Sequence, residues 1–256
     1  MIIKGIQLKG VTVRDRVSVV QSDLAYYIDA GNSASYSGTG SSMTNISSVS
    51  LPVSTLVGSP TYNSLGEASY FSFNGTNQYV ITGNMIGQFN IPINNNLTLE
   101  TWVRTSSDNG VISTEQGTAA SGTTINQGFH DAQQNIVSGF LYQGVWDGFD
   151  NTGPNCGAVT RNVWQQYVMT YNSVTSTVTG YIDGVLEATQ GSVTRISPQS
   201  DSRTSYFYGI MAADAQSFGD GTALAGDWSI FRAYTRVLSD AEVLQNYLAT
   251  YPRYYA

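Results

Sequence analysis

Gly226-Asp227-Trp228-Ser229-Ile230-Phe231-Arg232-Ala233-Tyr234-Thr235-Arg236-Val237-Leu238-Ser239-Asp240-Ala241-Glu242 reads as one strand followed by one short helix. From Trp228 to Tyr234 bulky residues fall at every second or third position, as in a half-buried strand. Ser239 then supplies a helix cap, and Glu242 three residues on completes a capping box. Leu238, just before the cap, can staple onto Val243. Val243, Leu244, Tyr247 and Leu248 form one apolar stripe, and Pro252 bars continuation of the helix. A long β-rich chain that ends in this way predicts a sandwich closed by its last strand.

Working back from that stretch, short strands are expected at 24–31, 68–73, 78–81, 97–104, 111–114, 136–145, 164–171, 175–182, 185–188 and 206–211. In Leu97–Arg104, Leu97, Leu99, Thr101 and Val103 share one face; Thr98, Glu100, Trp102 and Arg104 share the other. Trp102 among polar neighbours predicts a second layer or a groove over that face. Asn74-Gly75 and Asp183-Gly184 are hairpin signals. Residues 32–50 and 115–135 read as polar loops, the latter holding the single histidine, His130, beside Asp131. Without βαβ alternation, the expected fold is all-β, a two-sheet antiparallel jelly-roll sandwich with a short C-terminal helix.

Residues 1–20 differ from the rest. They hold Lys4, Lys9, Arg14 and Arg16, four of the eleven basic residues, among many strand formers. They read as a β arm that joins the domain's own sheet or a neighbour, with the main domain at 21–256. The chain of 256 residues is 41% hydrophobic and only 11% charged, against roughly 25% in an average protein. Its net charge of −7 argues against binding nucleic acid or anionic membranes. The lone Cys156 excludes an internal disulfide, and the lone His130 excludes a multi-histidine metal centre. Met1-Ile2-Ile3-Lys4-Gly5 lacks the apolar core of a secretion signal, and no run reaches membrane-spanning length.

Four motifs, in order, resemble those of the concanavalin A-like, laminin-G-like jelly-roll superfamily. Phe73-Asn74-Gly75-Thr76-Asn77-Gln78-Tyr79-Val80 resembles its F-D-G-x-x-x-Y-V segment, and Leu97-Thr98-Leu99-Glu100-Thr101-Trp102-Val103 its F-T-I-E-x-W-V strand. Trp164 to Thr170, running on to Tyr181-Ile182-Asp183-Gly184, resembles its W-x-x-V-x-x-T…Y-I-D-G hairpin. Arg232-Ala233-Tyr234-Thr235-Arg236-Val237-Leu238-Ser239 resembles R-I-Y-N-R-A-L-S. The ends, Leu24 to Asn32 and Ala241 to Tyr247, are similar to those of such domains in tailed-phage structural proteins. Ser229-Ile230 departs from the Asp-Glu of many members, so no role of that acidic pair carries over.

The resemblance implies a non-enzymatic virion protein, a capsid decoration or tail component, assembled in a host cytoplasm. It would meet other virion proteins through residues 1–20 and self-associate. Lectins and glycoside hydrolases share the superfamily. The hydrolase signature sets carboxylates at alternate strand positions; of the five glutamates only Glu242 has an acidic residue two positions away, Asp240, and that pair falls on the capped helix rather than on a strand. A Ser-His-Asp triad would need His130, and the chain has no Gly-x-Ser-x-Gly elbow. Glycan binding needs an aromatic plate beside amide or carboxylate groups, which Tyr142, Trp146, Asp147, Phe149, Asp150 and Asn151 supply in one stretch. Some relatives hold calcium in loop carboxylates; here Asp214, Asp220 and Asp227 would be the ligands, with no cofactor otherwise required.

Overall fold

The computed structural model describes residues 17–83, 96–119, 129–146, 151–194, 203–211 and 223–255. They form strands β1 (Leu24–Asp29), β2 (Ser42–Met43), β3 (Ser54–Val57), β4 (Thr61–Asn63), β5 (Tyr70–Asn74), β6 (Tyr79–Ile81), β7 (Leu97–Arg104), β8 (Gly110–Ala119) and β9 (Phe129–Val137). The series continues with β10 (Phe140–Trp146), β11 (Asn151–Thr152), β12 (Asn155–Ala158), β13 (Gln165–Asn172), β14 (Thr177–Ile182), β15 (Val185–Gln190), β16 (Arg203–Ile210) and β17 (Ala225–Tyr234). Helices α1 (Asp240–Thr250) and α2 (Pro252–Tyr255) follow.

The strands make two antiparallel sheets. The first runs β15-β14-β13-β7-β17-β5-β4, with β1 also paired to β17. The second runs β11-β10-β9-β8-β16-β6-β3-β2, with β12 also paired to β10. The expected sandwich with a C-terminal helix is what forms.

Alternation on β7 explains the layering. Leu97, Leu99 and Val103 enter the core between the sheets, with Phe231, Met169 and Tyr171. Trp102 joins a second apolar cluster on the outer face, with Val168, Ile230, Leu238, Val243 and Tyr247. The layer over Trp102 is therefore α1. Its capping box forms: the Ser239 backbone N–H donates to Glu242 at 2.9 Å. Arg236 and the Ser239 cap hold the Glu242 carboxyl down to about 2. Pro252 ends α1 and opens α2, where its missing N–H costs nothing.

Three expectations needed correction. Asn74-Gly75 does not close a hairpin, because β5 lies in the first sheet and β6 in the second. The Asn74 side chain accepts from the Thr76 and Asn77 N–H groups at 2.9 and 3.2 Å, turning the chain across to the other sheet. The segment 136–145 is two strands: Ser138 and Gly139, with φ of 52° and 80°, make the turn between β9 and β10. The region 115–135 is not all loop, since β8 runs to Ala119 and β9 starts at Phe129. His130 thus sits on a strand, opposite Gln116, with its side chain outside the described residues.

Residues 1–16 also lie outside the described residues, so the arm is seen only where it reaches the domain. There Gln245 donates to the Ser18 carbonyl at 2.8 Å. The Val20 N–H donates to Asn246 at 2.8 Å.

Candidate functional site

Strand β10 sends Leu141, Gln143 and Val145 inward and leaves Phe140 and Tyr142 outward, 43% and 36% exposed. The register sets Phe140 opposite Val137 of β9 and Ala158 of β12. It sets Tyr142 opposite Asn135 and Asn155. The Asn155 amide donates to Tyr142 Oη at 3.0 Å and accepts from the Gly157 N–H at 2.9 Å. That clamp fixes both the ring and the amide. Two aromatic plates edged by amides result, the pattern expected for the face of a sugar.

Of the predicted glycan residues, Tyr142 is therefore placed on an exposed strip. Trp146 and Asn151 pair through their backbones at the end of β10. Their side chains, and Asp147, Phe149 and Asp150 entirely, lie outside the described residues. Phe140 and Asn155 were not anticipated; Phe140, two residues before Tyr142 on an alternating strand, was the available signal.

Across β12 from this strip lies a groove of about 490 Å³, bounded by β15 and α1. Cys156, Gln165, Asp183, Glu187, Tyr247 and Tyr251 help to line it. Asp183 accepts from the Gln166 N–H at 2.9 Å, which braces the β14–β15 turn. Glu187 is exposed on an edge strand. Burial, with the Glu187 charge adding to it, pushes the Cys156 thiol up to about 12, so it stays protonated and unreactive. Gly180 on β14 is a close-approach glycine: a Cβ there would lie 2.1 Å from Cys156 Sγ. The sequence reading saw Asp183 as a turn residue and did not see the groove.

Of the predicted calcium ligands, only Asp227 lies among the described residues. Asp227 is held by Arg104 Nε at 2.8 Å and by the Ser72 hydroxyl at 2.6 Å. Asp214 and Asp220 lie outside the described residues. Among the described residues no three His, Cys, Asp or Glu side chains gather around one point.

Other carboxylates serve the scaffold. Glu100 and Arg232 oppose each other across β7 and β17, both fully buried, at 2.5 Å. Gln166 and Asn246 complete the carboxylate's shell at 2.9 and 2.8 Å. Asp29 pairs with Arg253, and Asp108 with Arg161.

Comparison with known proteins gives a family and a set of folds. The family profile described as the concanavalin A-like lectin/glucanases superfamily matches residues 74–244. A search of curated proteins found no match. Among solved structures, the chain is similar to Trypanosoma rangeli sialidase in complex with sialic acid, at 13% identity and a TM-score of 0.65. It is also similar to the binding domain of Paraclostridial Mosquitocidal Protein 1, at 14% identity and a TM-score of 0.62. The aligned region covers 93% of this chain but 35% of the sialidase, and 89% of this chain but 52% of the second structure. At such identity the likeness shows the fold alone.

Proposed function

The chain belongs to the concanavalin A-like lectin/glucanases superfamily, and from that premise we propose that it is a non-enzymatic glycan-binding protein carried on a tailed-phage virion. The observation that carries the glycan reading is the strip of Phe140 and Tyr142, clamped by Asn155. The apolar face of a pyranose stacks on the rings, and the Asn155 and Asn135 amides meet its hydroxyls. In support of a binding role, most described carboxylates near the sheets are engaged by arginines, as with Glu100, Asp29 and Asp227.

A glycan array tests this with the native protein and Tyr142→Ala. The ring is only about a third exposed and accepts one hydrogen bond, so the variant loses about 1 kcal/mol of stability and stays folded. It binds its best glycan about tenfold more weakly or worse, and prolonged incubation with that glycan releases no sugar. Unchanged affinity in the variant removes the strip as the site, and released sugar removes the non-enzymatic reading.

The virion placement is supported by the phage-like ends, whose Leu24 and Tyr27 on one side and Val243 and Tyr247 on the other share one apolar cluster. Residues 1–20, with four basic side chains, would meet other virion proteins or a second copy. Gold-labelled antibody against this chain should decorate the source particle in electron micrographs. A bare particle rejects the virion placement and leaves glycan binding standing.

A further inference from the structure

We propose that Asn74 is a site of covalent self-modification. Its side-chain amide condenses with the Gly75 backbone nitrogen, releases ammonia, and leaves an aspartyl or isoaspartyl linkage where the chain crosses between the two sheets. The reaction does not depend on glycan binding.

The chain has two Asn-Gly steps, Asn74-Gly75 and Asn109-Gly110. Glycine lacks the side chain that would hinder approach of its nitrogen to the neighbouring amide carbon. Both asparagines are exposed, and the fold sets them apart through their glycines. Gly75 lies in the exposed turn between β5 and β6. Gly110 is buried and opens β8 opposite Ile136, where an added Cβ would lie 2.8 Å from Leu224 Cα. Bending the Gly110 nitrogen onto Asn109 would pull that end of the ladder apart. The Asn109 side chain is also tied to the turn between β9 and β10, accepting from the Ser138 N–H at 3.0 Å.

At Asn74 the hydrogen bonds favour the reaction. Its Oδ1 accepts from the Thr76 and Asn77 N–H groups at 2.9 and 3.2 Å. Negative charge develops on that oxygen as the Gly75 nitrogen adds to Cγ, so both donors stand where an oxyanion needs them. The Gly75 nitrogen yields its proton to solvent base and bonds to Cγ. The Cγ–Nδ2 bond breaks, and Nδ2 takes up a proton and departs as ammonia. Water then opens the five-membered imide. Opening at Cγ gives aspartate; opening at the main-chain carbonyl leaves the backbone running through Cβ and Cγ. Water is the only co-reactant.

The two products differ in consequence. An aspartate carboxylate accepts the same two N–H groups, once Asn77, which now accepts from Asn74 Nδ2 at 2.9 Å, turns its own amide around. The isoaspartyl product lengthens the main chain by one carbon at a crossing whose flanking strands are held in different sheets. A Cβ on Gly75 would already lie 2.8 Å from Ala225 Cβ, so the turn has no slack on that side. The isoaspartyl form therefore loosens the crossing.

The experiment ages the purified protein at mildly alkaline pH beside a free peptide of residues 70–80. Both are mapped at intervals by mass spectrometry with an isoaspartyl methyltransferase label. Asn74 should convert about tenfold faster than Asn109 or more. The isoaspartyl fraction should unfold at a lower denaturant midpoint than fresh protein. Asn74→Asp should keep the native midpoint, and Asn74→Ala should keep its own midpoint throughout ageing. Asn109 converting as fast as Asn74, or Asn74 intact when the free peptide is fully converted, overturns the inference. An isoaspartyl fraction as stable as fresh protein overturns the loosening of the crossing.

Discussion

Glu100→Gln lowers the free energy of unfolding by about 3–5 kcal/mol, because it leaves the Arg232 guanidinium charged and unpaired in the interior. Both side chains have zero exposure. Gln has almost the same volume as Glu, so the loss reports charge rather than a cavity. The carboxylate also receives the Gln166 and Asn246 amides, and the substituted side chain would turn one donor toward another. Arg232 has few alternatives: its other contacts are the Tyr27 and Thr250 hydroxyls at 3.3 Å. Replacing both partners, as in Glu100→Leu with Arg232→Met, should cost far less, since the desolvation penalty of two ions disappears with them. Denaturant titration of the two variants decides the matter. A loss below about 1 kcal/mol in Glu100→Gln would show that the charge pair is not what the centre of the first sheet depends on.

Trp102→Ala should cost a similar amount, about 3–5 kcal/mol, by a different route. The indole is completely buried on the outer face of β7. It stacks on Tyr247 of α1 at 5.7 Å between centroids, with the planes 4° apart, and meets Tyr254 at 5.0 Å. Removing it takes away the floor on which both helices rest. The expected signature is regional: amides of α1 lose hydrogen-exchange protection, while those of β9 and β10 lose much less. Uniform loss across the molecule, or an α1 that keeps its protection, would show that the stack does not hold the helix.

These two residues also show what the sequence made legible. Glu100 and Trp102 stand at alternate positions with Thr98 and Arg104, so a second layer over that face could be read directly, as could the capped helix that supplies it. Local chemistry sufficed for Asp183-Gly184 too, where φ values of 53° and 77° need such residues. Asn74-Gly75 carries the same signal and yet leads to the opposite sheet, because its turn is closed by the Asn74 side chain rather than by a strand ladder. Ser138-Gly139 was passed over inside an apolar run. The aromatic strip was half legible, through Tyr142. The groove was not, since Cys156, the Asp183–Glu187 hairpin and Tyr247 come from three separate segments that only the closed sandwich brings together.

The junction at Val20 sets how tension would travel through the molecule. Its N–H is held by Asn246, and its carbonyl by the Tyr234 hydroxyl at 3.2 Å. Asn246 in turn grips Glu100 and Tyr234 at 2.8 and 2.9 Å. A pull on residue 17 therefore passes within a few bonds to β7 and β17, neighbouring strands in the interior of the first sheet. The load reaches the stiffest part of the sandwich first, through a knot of short polar links, instead of peeling away strands at its rim.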